Sequence, residues 1–238
     1  MNKKTYRVNN ALSRLGLCSR READKLIKEG KVFVNSQKIE NFNETINIGD
    51  HIMINKKHYK FFPQKTKLFS FHKPIGCITS RIDPQNRMTI FDLLPRKYKN
   101  LITIGRLDYN TEGLLLLTND GEFAREMELP NENIKKTYKV KVFGKLTDQK
   151  AQRIIDASQS GIKISRIQYM PFEIFLPNNI NNLPNNFWLT IKISEGKNNE
   201  IRNIMQYFEF TVNKLIRTSF GKYQLSDIPR GEIFEINI

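Results

Sequence analysis

The chain has 238 residues, 39% of them hydrophobic and 11% aromatic, enough for one sizeable core and a small extra domain, which excludes a disordered or fibrous protein. Its formal charge of +15, from 39 Lys and Arg against 24 Asp and Glu, points to a polyanionic partner, above all nucleic acid. Two cysteines, Cys18 and Cys77, exclude a disulfide framework and a Cys-rich zinc site, and His51, His58 and His72 lack the spacing of metal ligands, so no metal is expected.

The N-terminal 67 residues hold 15 Lys and Arg against 6 acids, which concentrates +9 of the charge there. Within them "NNALSRLGLCSRREADKLIKEGKVFVNSQKI" reads as a short helix, a turn at Gly16, a second helix capped by Ser19 with Glu22 three residues on, a stop at Gly30 and a strand. Ala11, Leu12 and Leu15 give the first helix an apolar face, and Ala23, Leu26 and Ile27 do the same for the second. Arg14, Arg20, Arg21, Lys25 and Lys28 fall on the exposed faces, where they are candidates for phosphate contacts. "INIGDHIMIN" adds a turn and an alternating strand, completing a small αβ domain over residues 1–60.

The lysine-rich stretch "KKHYKFFPQKTK" breaks the periodicity at Pro63 and places a linker at 61–67. From residue 68 to 238 short β-type runs dominate: "LFSFHK", "YKVKVFG", "FEIFL", "FWLTIKIS" and "EIFEINI". Helical patterns fall at "DGEFAREME", "TDQKAQRIIDAS" and "NNEIRNIMQYF", so the fold class expected is α+β, on a mixed, mainly antiparallel sheet. "LPNNINNLPNN" reads as an exposed polar loop. No apolar run reaches the roughly 18 residues that span a bilayer, and the N-terminus lacks a secretory apolar core. A cytoplasmic protein with no membrane association is expected.

In "IGRLDYNTEGLLLLTNDG", residues 104–121, four leucines between Gly113 and the "TNDG" turn read as a strand buried on both faces, with Asp108 in a loop at its rim. An aspartate near an arginine is, by itself, more often a turn or surface pair than a catalyst. The longer pattern is different: it resembles, almost letter for letter, the signature of the pseudouridine synthases of the RsuA group, which modify bacterial ribosomal RNA. "KPIGCITS", "DPQNRMTIFDLLP", "KKTYKVKVFG", "ISEGKNNEIRNIM", "KLIRTSFGKYQL" and "IPRGE" are similar to further segments of that catalytic domain. The N-terminal unit resembles an S4 RNA-binding domain. Several of these segments look most like the RluB-type branch, which acts on large-subunit ribosomal RNA.

The resemblance implies that Asp108 is the catalytic residue, that Arg106 fills the space left by a flipped base, that Tyr138 stacks on that base, and that Arg202 pairs with the catalytic carboxylate. It also implies that Leu215 helps line the pocket. Isomerising uridine breaks one glycosidic bond and makes another, with no redox change, so no cofactor is expected. The partner implied is ribosomal RNA, free or within an assembling subunit, acted on by a monomer. Asn199 and Asn203 stand where the family usually has arginines, and Ser36 where a glycine commonly follows the asparagine. The competing readings are a small-subunit enzyme and a non-catalytic ribosome-assembly factor. Retention of Asp108, Tyr138 and Arg202 together argues against the latter.

Overall fold

The computed structural model describes residues 5–129, 133–180 and 183–238. Contacts divide the chain into two units, Met1–Thr66 with Asn119–Gly121, and Lys67–Thr118 with Glu122–Ile238.

The first unit runs β1 (Thr5–Arg7), α1 (Val8–Arg14), α2 (Arg20–Lys28), β2 (Val32–Val34), β3 (Gln37–Lys38), β4 (Thr45–Asn47), β5 (His51–Ile54) and β6 (Lys57–Lys60). Strands β3-β2-β5-β6 form an antiparallel sheet and β1 pairs with β4. Helix α2 starts on the expected capping box, in which Ser19 and Glu22 bond each other's backbone N–H. It stops at Gly30, whose φ of +66° lets the N–H groups of Gly30 and Lys31 turn back to the carbonyls of Ile27 and Leu26. Val8, Ala11, Leu12, Ala23, Ile27, Val32, Ile46 and Ile52 form the core. Asn35 and Ser36 both take positive φ, 47° and 68°, so the tight β2–β3 turn closes without a glycine, at a cost on the order of 1 kcal/mol at Ser36.

The linker expected at 61–67 begins too early. Phe61 is fully buried in this core, edge-on to Tyr6 at 5.2 Å, and its N–H bonds the carbonyl of Asp50. An aromatic ring that closes a small core belongs to the unit it stabilises.

The second unit contains β7 (Leu68–Lys73), α3 (Ile90–Leu93), β8 (Ile102–Ile104), β9 (Glu112–Thr118), α4 (Gly121–Glu128), β10 (Lys136–Phe143), α5 (Asp148–Ser160), the hairpin β11 (Ile162–Ile164) and β12 (Ile167–Tyr169), β13 (Glu173–Phe175), β14 (Asn186–Ile193), α6 (Glu200–Tyr207), β15 (Thr211–Phe220), β16 (Tyr223–Gln224) and β17 (Ile233–Ile236). Among the described residues nine strands make one sheet, in the order β13-β14-β10-β15-β9-β7-β17, with β16 beside β15 and β8 beside β9. Only the β15–β9 pair is parallel, as the mixed, mainly antiparallel expectation requires. In the "LPNNINNLPNN" segment, residues 181–182 lie outside the described residues.

The four leucines of β9 explain themselves in this sheet. Leu115 and Leu117 join one core, with Phe71, Val140, Ile154 and Ile204, while Leu114 and Leu116 join another on the opposite face, with Ile104 and Ala124. Alternation along a strand sends successive side chains to opposite faces, so a strand covered on both sides must be apolar throughout. Just before them Gly113, at φ +118°, lets β15 come close: a Cβ there would sit 2.3 Å from the carbonyl oxygen of Arg217.

Candidate active site

Asp108 lies in the loop between β8 and β9, as expected, with its side chain exposed. The main chain around it is held at nearly every residue. Thr79 bonds Leu107 through its hydroxyl, accepting from the N–H at 3.2 Å and donating to the carbonyl at 2.8 Å. Gly105 N–H donates to Glu128 at 2.8 Å, Gly76 N–H to the carbonyl of Tyr109 at 3.0 Å, and Thr111 N–H to the carbonyl of Asp108 at 3.0 Å. The Asp108 carboxylate makes no hydrogen bond or ion pair among the described residues.

Lys73, at the end of β7, is fully buried and points its ammonium under this loop. It donates to the carbonyls of Pro74, Asp108 and Thr111, at 3.0, 3.1 and 3.0 Å. Burial lowers its pKa, opposed by nearby Cys77 and Asp108. Sequence reasoning missed this role, because "KPIGCITS" marks a lysine at a strand end without showing where its side chain goes. The signal available was a lysine closing a short strand, "LFSFHK", that begins on Leu68, Phe69 and Phe71.

Arg202, on α6, donates to the carbonyls of Val212 at 3.1 Å and Asn110 at 3.0 Å. Burial lowers its pKa and the charge of Asp108 raises it, so the two side chains are electrostatically in touch. The direct pair expected between them is absent among the described residues. Asp108 is solvated, so it needs no buried counterion, and the guanidinium instead satisfies the carbonyls of Asn110, in the loop, and Val212, on β15.

A cleft of about 690 Å³ opens at this loop. Arg106, Asp108, Tyr138 and Leu215 line it together, while Arg202 does not. Tyr138 and Leu215 are both buried, on the adjacent strands β10 and β15. Arg106 is exposed.

Two groups on the cleft wall escaped sequence reasoning. Arg217 faces Tyr138 across the β10–β15 pair and is only 2% exposed. Its Nε donates to the carbonyl of Leu114 at 2.8 Å, but its buried Nη2 has no partner among the described residues. Glu200, in the first turn of α6, is 3% exposed. One of its oxygens accepts from the N–H of Lys197 at 3.0 Å and Oε1 is unpartnered. Burial, and secondly the charge of Glu195, push its carboxyl up to about 7. Lys136 lines the same cleft and donates to the carbonyls of Ser194 and Glu195. Of the positions that depart from the family pattern, Asn199 stands at the N-terminal boundary of α6 at φ 52° without a side-chain capping bond, and Asn203 donates to the Tyr169 hydroxyl at 2.9 Å.

In the first unit, Arg20, Arg21, Lys25 and Lys28 are exposed on α2, available to a polyanion. Arg14 is the exception among the expected RNA contacts. Its side chain is buried against Asp120, with which it forms an ion pair, and lies over the ring of Tyr6 at 5.1 Å. A guanidinium committed to a buried carboxylate stabilises the unit and is withdrawn from phosphate binding.

A clamped loop thus presents a free carboxylate to a cleft, in a chain that also carries a basic helical unit. Residues 67–207 match the model of the RNA pseudouridylate synthase family and residues 7–52 that of the S4 domain. An uncharacterized RNA pseudouridine synthase of Rickettsia typhi is 38% identical over 235 residues, 98% of this chain and 92% of that protein. Ribosomal large subunit pseudouridine synthase B is 35% identical in Buchnera aphidicola, over 98% of this chain and 91% of that protein. The Vibrio cholerae protein of the same name is 31% identical, over 98% and 72%. A crystal structure of pseudouridylate synthase shares the fold, with a TM-score of 0.64 at 23% identity over 95% of this chain and 93% of that one. The chain belongs to the RNA pseudouridylate synthase family, and its N-terminal unit is an S4 domain.

Proposed function

We propose that this enzyme isomerises a uridine of large-subunit ribosomal RNA to pseudouridine, with Asp108 as the reacting carboxylate and no cofactor. The reading for the large subunit rests on the relatives named pseudouridine synthase B, matched over nearly the whole chain. The observation that carries the catalytic assignment is the contrast at Asp108: a main chain bonded on all sides and a carboxylate left free at the cleft.

The reaction breaks the bond between N1 and C1′, turns the base and joins C5 to C1′. C5 then loses a proton and N1 gains one, so the composition of the RNA is unchanged. Asp108 supplies the nucleophile or base at the sugar. The uridine must first leave its stack, at a cost of a few kcal/mol, and Arg106 at the exposed rim fills the vacated space. Tyr138 and Leu215 receive the base, and Arg202 positions the loop through Asn110. The unpartnered Nη2 of Arg217 is a donor for an oxygen of the bound nucleotide. The enzyme is proposed to act as a monomer in the cytoplasm, on free RNA or on an assembling subunit; among the described residues no helix is long and apolar enough to cross a membrane.

The test uses an unmodified large-subunit transcript carrying C5-tritiated uridine. The wild-type chain should release tritium, and one pseudouridine should vanish from cellular ribosomal RNA when the protein is removed. Asp108→Asn should release none while melting like the wild type. Substantial release by that variant would refute the assignment of Asp108, and release from the small-subunit transcript alone would refute the substrate.

A further inference from the structure

The face of the sheet opposite Tyr138 and Leu215 has no role in the reading above. Burial alternates along β10 and β14, so Lys139, Lys141 and Phe143 point away from the core, as do Trp188, Thr190 and Lys192. Strand pairing arranges these side chains in rows. Phe175, Thr190, Lys139 and Ile216 form one row across four strands, and Trp188, Lys141 and Lys214 form the next. Trp188 is 42% exposed and Phe175 51%. They are diagonal neighbours flanking Thr190, within roughly 8 Å of each other. Together with Lys139 and Ile216 they line a groove of about 550 Å³.

The charge on this face is one-sided. Glu173 is neutralised by Lys135 and Lys192, at 2.6 and 3.1 Å. Lys139, Lys141 and Lys214 have no ion-pair partner among the described residues, and Lys141 stands directly opposite Lys214. Two lysines facing each other across a strand pair repel, so the arrangement gains from an anion that contacts both. Exposed rings beside unpaired cations are the chemistry that receives an unpaired polynucleotide, since bases stack on the rings while phosphates meet the ammonium groups. β13, which carries Phe175, is an edge strand, so the face is open on that side.

We infer that the outer face of β13, β14, β10 and β15 binds single-stranded RNA, with bases stacking on Trp188 and Phe175 and phosphates contacting Lys139, Lys141 and Lys214. This surface lies on the face of the sheet opposite Tyr138 and Leu215. It would hold unpaired RNA next to the segment being modified. The inference does not depend on isomerase activity, because tritium release reports the cleft and the experiment below reports this face.

Trp188 is the sole tryptophan of the chain, so its emission reads the surface directly. The full chain is titrated with a fluorescein-labelled oligouridylate of about 20 nucleotides, following tryptophan emission and label anisotropy at several salt concentrations. Saturable quenching that tracks the anisotropy is expected. The K139Q/K141Q/K214Q variant should lower the salt slope by about 2, at roughly 0.7 for each phosphate that no longer meets a lysine. Phe175→Leu should weaken binding at least ~5-fold, the loss of one stacked base. Binding with unchanged tryptophan emission, or a triple variant with the wild-type slope, would overturn the inference. So would emission that shifts with protein concentration in the absence of RNA, which would place a second copy of the chain on this face.

Discussion

The ammonium of Lys73 donates to the backbone carbonyl of Asp108 at 3.1 Å, so a buried cation fixes the main chain of the residue whose carboxylate is left free. Lys73→Met keeps much of the volume and removes the donor from three carbonyls at once. Stability should fall by about 3 kcal/mol, since each unsatisfied buried carbonyl costs on the order of 1 kcal/mol or more. The loop should shift, and a displacement near 1 Å is enough to lower kcat about 100-fold. KM should change little, because Lys73 does not line the cleft. Denaturant melts and steady-state tritium release check both parts. A variant that loses stability but keeps kcat would restrict Lys73 to the fold.

Arg202→Ala removes donors to Asn110 and Val212 and a positive charge near Asp108. Had the arginine been the buried partner of a buried carboxylate, its loss would cost roughly 3 to 5 kcal/mol. Asp108 is exposed and only carbonyls are orphaned, so about 2 kcal/mol is expected. Activity should still drop about 100-fold, because the loop loses its tie at Asn110. A stability loss in the larger range would mean that the two side chains form a buried pair in solution.

Glu200 makes stability depend on pH. Its carboxyl is raised to about 7 in the folded chain, chiefly by burial, against an ordinary 4.5 once the chain unfolds. The folded state therefore holds the proton more tightly. The stability this confers is fully present below the unfolded pKa and is lost as pH rises through the folded one. The loss should reach up to about 3 kcal/mol between those limits. Glu200→Gln keeps the neutral shape and cannot ionise, so the difference in stability between variant and wild type should grow in the variant's favour from pH 5 to pH 8. A difference that stays flat over that range would mean that Glu200 titrates normally.

What could be read from the sequence follows periodicity. Helix α2 announced itself through Ser19, Glu22 and Gly30, and β9 through four leucines, because capping and two-sided burial leave local marks. β15 left none: "TVNKLIRTSF" mixes polar and apolar residues without alternation, and its register against β10 shifts near Tyr138 and again near Val142. A bulge breaks the period of two on which such a reading depends. Asp108, Arg106, Tyr138 and Leu215 were legible through motif resemblance and do meet at the cleft. Lys73, Glu200 and Arg217 were not, because a buried charge looks like a surface charge until tertiary contacts surround it. Arg14 misled for the same reason: its partner, Asp120, is 106 residues away in the chain.

The exposed charges of α2 give the last prediction. Arg20, Arg21, Lys25 and Lys28 stand on the solvent side of a helix whose other side is held by Ala23 and Ile27 in the core. Glu29 draws off part of this charge, lying 3.9 Å from Lys25 and 2.6 Å from Lys31. Exposed pairs of this kind are weak, so phosphates can compete for the lysines. If the S4 domain grips RNA through this helix, each phosphate contact releases a counterion, and changing all four residues to glutamine should flatten the salt dependence of affinity for a structured ribosomal RNA fragment by roughly 3 in logarithmic slope. The fold should survive, since none of the four is buried. Arg14→Gln should do the reverse: it removes the ion pair with Asp120, which should lower the melting temperature, while the salt slope stays as in the wild type. Charges that merely solubilise the helix would give the quadruple variant an unchanged slope, and that result would take α2 out of RNA recognition.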